Sequence, residues 1–136
     1  MTSATDESVN AIVSRFLNAF SAADFTAMND LTTEQIELFI PGARDVDLTQ
    51  VGKGREALRE WTEAVWQDCG RPKFDLHRYF ANGSETVAVG VMTIERIPRM
   101  FQSDCAVHVQ FDQGRIALFR LLYDTYALEK FRGQMD

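Results

Sequence analysis

Few side chains in this 136-residue sequence combine reactive chemistry with a suggestive setting. His77 is one of two histidines and stands two residues from Asp75 in the alternating stretch 73–81, so the two share a strand face. A carboxylate beside an imidazole could support general-base catalysis, and it equally describes a solvated sheet edge. Tyr123 shares its face with Phe119 and Leu121 near the end of the stretch 115–124. Its phenol could hydrogen-bond a ligand carbonyl, or be a core hydroxyl reaching water or backbone. Asp124 has the opposite parity, and only a bulge at the strand end would turn it toward that face. His108 has the opposite parity to Val107 and Val109, which groups it with Asp104, Gln110 and Arg120 as polar members of an interface rather than a catalytic cluster. Asp45 and Asp47, at i and i+2, lack further ligands at a loop spacing. Gly52-Lys53-Gly54 lacks the rest of a phosphate-binding signature, and Cys69 and Cys105 lack metal-ligand spacing. No metal and no cofactor is expected.

Helices and strands must position these groups. Val9, Ile12, Val13, Phe16, Leu17 and Phe20 form the stripe of an amphipathic helix, with Thr5 as its cap. Asp24 can cap a short second helix carrying Phe25, Met28 and Leu31. At residues 35–40 the period changes to two, placing Ile36, Leu38 and Ile40 on one strand face, and Pro41-Gly42 ends that strand. Residues 43–49 read as a loop. A third helix begins at Arg55, lays Leu58, Trp61, Thr62, Val65, Trp66 and Cys69 along one side, and stops at Gly70 and Pro72. Residues 73–81, 86–96, 104–112 and 115–124 are strands, with hairpin signals at Asn82-Gly83 and Gln113-Gly114. The fold class is α+β, helices first and an antiparallel meander last, in a single domain spanning 1–136.

Composition narrows the partners. Fourteen Lys and Arg against twenty Asp and Glu leave a formal charge of −6, and the basic residues are scattered, which argues against nucleic acid. No apolar run approaches the roughly 18 residues of a membrane span. The polar opening MTSATDESVN has no signal-peptide core, so a cytoplasmic protein with reduced thiols is expected. The last strand is apolar on both faces: Ala117, Phe119, Leu121 and Tyr123 alternate with Ile116, Leu118, Arg120 and Leu122. One face meets the helices; the other calls for a second cover, and a homodimer through the outer sheet face is the expectation.

The G-R-E-A-L helix start and the meander ending in F-x-Q-G-R-I and Y-D-T-Y-A-L, in this order of elements, resemble the NTF2-like superfamily, over roughly residues 8–130. Within it the chain is most similar to the SnoaL-like and ketosteroid-isomerase-like group. The resemblance implies a cone, with N-terminal helices packed in a strongly curved, antiparallel-rich sheet around a pocket open at one end. Members include isomerases, epoxide hydrolases, dehydratases, polyketide cyclases and non-catalytic binding domains, so the fold leaves the function open.

Position by position, the family's catalytic groups are replaced. The oxyanion-hole tyrosine of ketosteroid isomerases falls on Phe16, their general base on Ile40 and their protonated aspartate on Val107. The Arg/Asp pair of limonene-type epoxide hydrolases falls on Val89 and Val91, and their other polar positions on Leu38, Ile40 and Leu121. Valine and isoleucine supply neither a base nor oxyanion donors. Parity assigns Leu38, Ile40, Val89, Val91, Val107, Val109, Phe119 and Leu121 to the concave wall, together with Phe16 and Trp61. Such a wall is either filled core or a pocket for a small hydrophobic molecule, polycyclic ones included. Two functions therefore stand: a binder with cofactor-independent acid–base isomerase, cyclase or dehydratase chemistry, to which Tyr123, His77 and Asp124 would contribute, or a non-catalytic ligand-binding or protein-interaction module.

Overall fold

A computed structural model describes residues 6–40 and 52–133. The apolar stripe near the start folds as helix α1 (Asp6–Ala22), which buries Val9, Val13, Phe16, Leu17 and Phe20. Helix α2 (Phe25–Leu31) is capped as expected, the Ala27 N–H donating to Asp24 Oδ1 at 3.1 Å. Strand β1 (Thr32–Phe39) leads past the segment that would contain Asp45 and Asp47, which lies outside the described residues, as does Thr5. A two-residue strand β2 (Gly52–Lys53), not foreseen from periodicity, precedes helix α3 (Arg55–Asp68). Arg55 ties that helix to β1 by donating from Nη2 to the Thr32 carbonyl at 2.6 Å.

The meander follows as β3 (Pro72–Asn82), β4 (Glu85–Arg96), β5 (Arg99–Asp112) and β6 (Arg115–Tyr123), and α4 (Thr125–Gly133) comes last. The four helices and six strands among the described residues make an α+β fold whose curved sheet matches the expected cone. The strand order is β2-β1-β6-β5-β4-β3, antiparallel throughout except for β1 beside β6.

Register decides what faces the helices. Phe119 of β6 meets Phe16 of α1 with ring centroids 5.1 Å apart, and Phe74 of β3 meets Phe20 at 6.1 Å, which defines the inner face. Across the sheet Leu121 lies opposite Val107, Val107 opposite Ala88, and Ala88 opposite Tyr79. Val89 and Val91 pair with Ala106 and Asp104 instead, and so belong to the outer face. The expectation that they line the concave wall is corrected here. Residues 97–103 are not a loop. Only Ile97-Pro98 separates β4 from β5, with Arg96 opposite Arg99, so odd-numbered β5 residues pair with even-numbered β4 residues and both odd sets cannot share a face. Thr86, Ala88, Gly90, Met92 and Ile94 point inward.

A second irregularity lies on β3. Leu76 pairs with Gly90 and Arg78 with Val89, leaving His77 as the extra residue of a bulge. Phe74 and Leu76 face inward before it, and Tyr79 and Ala81 after it. At Gly90 the strands approach so closely that a Cβ would lie 2.0 Å from the Asp75 carbonyl oxygen, so only glycine fits.

Candidate functional site

The inner face is built from large apolar side chains of every layer. Phe16, Ile36, Leu38, Ile40, Leu58, Val107, Phe119 and Leu121 are all buried, so the positions where the resemblance placed catalytic groups are apolar in space as well as in sequence. Trp61 of α3 stacks on Phe20 at 4.9 Å with an interplanar angle of 17°. Its indole N–H is buried and meets no acceptor among the described residues. An unmet buried donor costs ~1–3 kcal/mol, which an acceptor on a bound molecule would relieve.

Tyr123 is a polar group of this wall. It stands opposite Cys105 on the inner face, its ring edge-on to Phe101 at 6.4 Å. Burial raises the phenol well above its ordinary range, the Cys69 thiol raises it further, and the Arg132 guanidinium pulls the other way. The result is a neutral hydroxyl, able to donate to a carbonyl oxygen and unsuited to act as a base near neutral pH. Burial likewise pushes the Cys105 thiol up to about 11, with Asp104 adding to the shift and a backbone hydrogen bond from Gly90 opposing it.

The other two reactive candidates lie elsewhere. His77 is exposed on the bulge, its Nε2 4.0 Å from Asp75 Oδ2, and it borders an open groove of about 630 Å³ lined also by Val89, Gly90, Val91, Asp104, Cys105, Ala106, Leu122 and Tyr123. His77 is the bulge residue of β3, whereas Tyr123 stands at the end of β6 opposite Cys105. Asp124 does not turn inward to do chemistry. Its Oδ1 accepts the Ala127 N–H at 2.9 Å, capping α4, and its own N–H donates to Ser103 Oγ at 2.9 Å.

His108 faces outward as parity required and pairs with Glu85, which also accepts from Gln110 Nε2 at 3.3 Å. Arg120, opposite His108, lies over the Phe39 ring at 4.8 Å. The outer face also exposes Phe80 and Leu122.

One residue escaped the sequence reading. Arg132 is buried on α4, a helix that residue alternation had concealed. The signal was present in Asp124 as a cap, followed by Leu128 and Phe131 at helical spacing. Among the described residues no group of three or more His, Cys, Asp or Glu could hold a metal ion. No helix there is long and apolar enough to cross a membrane.

Comparison with known proteins adds a family and a fold. Residues 13–119 match the family profile described as SnoaL-like domain. Among curated proteins none matches the sequence significantly. Similar solved structures include Bal32a from a soil-derived mobile gene cassette, 23% identical over 92% of this chain and 96% of that one, with a TM-score of 0.78. TerC co-crystallised with polyporic acid is 12% identical over 93% and 98%, with a TM-score of 0.81. An LEH-like epoxide hydrolase from M. tuberculosis is 19% identical over 94% and 91%, with a TM-score of 0.71. At these identities the likeness speaks for the fold alone.

Proposed function

The chain belongs to the SnoaL-like domain family of the NTF2-like superfamily, and from that premise we propose that it binds a small hydrophobic molecule against the inner face of its cone. The observation that carries this reading is the buried indole N–H of Trp61, which meets no acceptor among the described residues, in a wall that includes Phe16, Leu38, Ile40, Val107 and Leu121. A bound carbonyl or ether oxygen would satisfy it. Tyr123 supplies a second, neutral donor. TerC, a fold relative, was co-crystallised with polyporic acid.

The chemistry open to such a site is limited. Two neutral donors can polarise a carbonyl, yet Ile40 stands where a general base would be needed, and no other base lines the wall as described. Binding with at most hydrogen-bond assistance by Tyr123 is therefore the reading, and isomerase, cyclase or dehydratase turnover is the second.

We also propose that the outer sheet face pairs two copies of the chain, covering Leu122, Phe80, Val87 and Val89. Reduced thiols at Cys69 and Cys105, neither in a disulfide, fit a cytoplasmic setting.

A neutral fluorescent probe, N-phenyl-1-naphthylamine, tests the binding reading. The native protein should take up one probe per chain, and Val107→Trp should abolish that uptake while the protein still unfolds cooperatively. No stoichiometric binding by the wild type would overturn it and assign the inner face to core.

A further inference from the structure

Arg120, on the outer face of β6, finds no carboxylate to pair with among the described residues. Its guanidinium lies over the Phe39 ring at 4.8 Å, and its Nε is sealed from solvent without an acceptor there. Glu85, across the neighbouring strand, is engaged with His108 and Gln110. A guanidinium stays charged at any ordinary pH, and a half-buried one gains from meeting an anion.

The converse group stands on β5. Asp104 is exposed on the same face, and no Lys, Arg or His pairs with it among the described residues, whereas Asp75 has His77 beside it. Asp104 borders the groove of about 630 Å³ and a second hollow of about 460 Å³ that Gln102 helps to line, so a long side chain from another chain has room to reach it. Arg120 lies opposite His108, four residues along β5 from Asp104, which puts the two Cα positions ~14 Å apart along the strands and ~5 Å across them. They cannot meet within one chain. Midway between them the register sets Leu122 opposite Ala106, and Leu122 is 52% exposed.

We infer that each Arg120 pairs with Asp104 of the partner subunit, twice across a twofold axis that passes over Leu122. The inference rests on the proposed pairing of outer sheet faces and fixes which residues meet there. Two copies stacked face to face are related by an axis lying between the sheets, and exchanging Arg120 with Asp104 sets that axis across the strands at the Leu122–Ala106 pair. The strands of the two sheets then run antiparallel with a crossing of ~40°, near the ~30° of aligned sheet packing. Leu122 meets the partner subunit's Leu122 at an apolar centre, and the isologous contact places one ion pair on either side of it.

Charge reversal tests the pair by sedimentation equilibrium of the full-length protein. Arg120→Glu would face a carboxylate with a carboxylate, and Asp104→Arg a guanidinium with a guanidinium, so each should raise the dimer dissociation constant at least roughly tenfold. The double variant restores the pair in reverse and should associate more tightly than either single variant, within about threefold of wild type. Single variants that associate as wild type does, or a double variant no tighter than the singles, overturn the pair, while dispersal of a dimeric wild type by Leu122→Glu leaves the outer face standing. Should a reversed variant fail to fold, Leu122→Cys reads the axis: oxidation with copper phenanthroline should link two copies through a disulfide that wild type, with Cys69 and Cys105 buried, does not form. No link at concentrations where wild type is dimeric overturns the axis. A wild type that is monomeric at every concentration overturns both readings.

Discussion

Replacing Gly90 by alanine should damage this fold far more than its single added methyl implies. The new Cβ would lie 2.0 Å from the Asp75 carbonyl oxygen and 2.6 Å from the Leu76 Cα, both backbone atoms of the neighbouring strand. Side chains can rotate out of an overpacked site at ~1–3 kcal/mol, but here β3 itself must retreat, giving up the pairing of Leu76 with Gly90 at the edge of the bulge. A cost of ~3 kcal/mol or more follows. At the usual unfolding entropy for a chain of this length each kcal/mol moves the midpoint by ~3–4 °C, so the melting temperature should fall by ~10 °C or more. Gly83→Ala is the matched control. Gly83 has φ +65° and nothing within 4 Å of the added carbon, so only the left-handed backbone is penalised, by ~1 kcal/mol. Thermal unfolding followed by circular dichroism, with calorimetry to check two-state behaviour, compares them. A Gly90→Ala midpoint within ~3 °C of wild type, or no lower than that of Gly83→Ala, would refute the close-approach argument.

Leu122→Glu puts a charge on the proposed dimer face, where Leu122 is 52% exposed in the single chain, and sedimentation should then show monomers against a dimeric wild type; equal masses would refute that face. Hydrogen bonds from His108, then from Gln110, hold Glu85 below the ordinary glutamate range, so the folded state favours its charged form and the resulting stabilisation, present above that range, disappears as pH falls through the lowered value. The stability advantage of wild type over Glu85→Gln should therefore shrink between about pH 5 and pH 3, whereas parallel melting curves would contradict the pairing. With its thiol pushed up to about 11 and buried, Cys105 should resist Ellman's reagent at pH 8 until denaturant is added, and fast native labelling would show that β5 is misplaced.

The first three helices were legible because their residues announce both face and ends: the stripe from Val9 to Phe20, the Asp24 cap and the Gly70 stop all describe local physics. The inward positions of Phe16, Leu38, Ile40, Val107, Phe119 and Leu121 were legible for the same reason. Val89 and Val91 were misassigned because β4 is apolar on its outer face and carries Thr86, Ala88 and Gly90 on its inner one, so hydrophobicity pointed the wrong way. Only the two-residue connection at Ile97-Pro98 fixes the answer, and its brevity is a property of pairing rather than of composition. The bulge at His77 is likewise invisible in an alternating stretch, since it is recognised by two consecutive exposed residues, His77 and Arg78. Arg132 was missed because a cationic residue near the end of the chain reads as solvated by default, and its burial depends on α4 docking across the sheet.

The parallel seam between β1 and β6 bears on how the chain emerges from a ribosome. Leu38 finds its neighbour Phe119, and Phe39 finds Arg120, only after most of the polypeptide has been synthesised. Until then β1 has the two residues of β2 for company, while β3, β4 and β5 can already zip together through short hairpins. The edge that β1 offers during that interval, with Ile36, Leu38 and Ile40 on one side, is an adhesive surface of the nascent chain, as is the β5 edge that also awaits β6. A ribosome-stalled fragment ending before Arg115 should accordingly hold a formed meander core and an unsealed N-terminal strand, the state on which a chaperone would act.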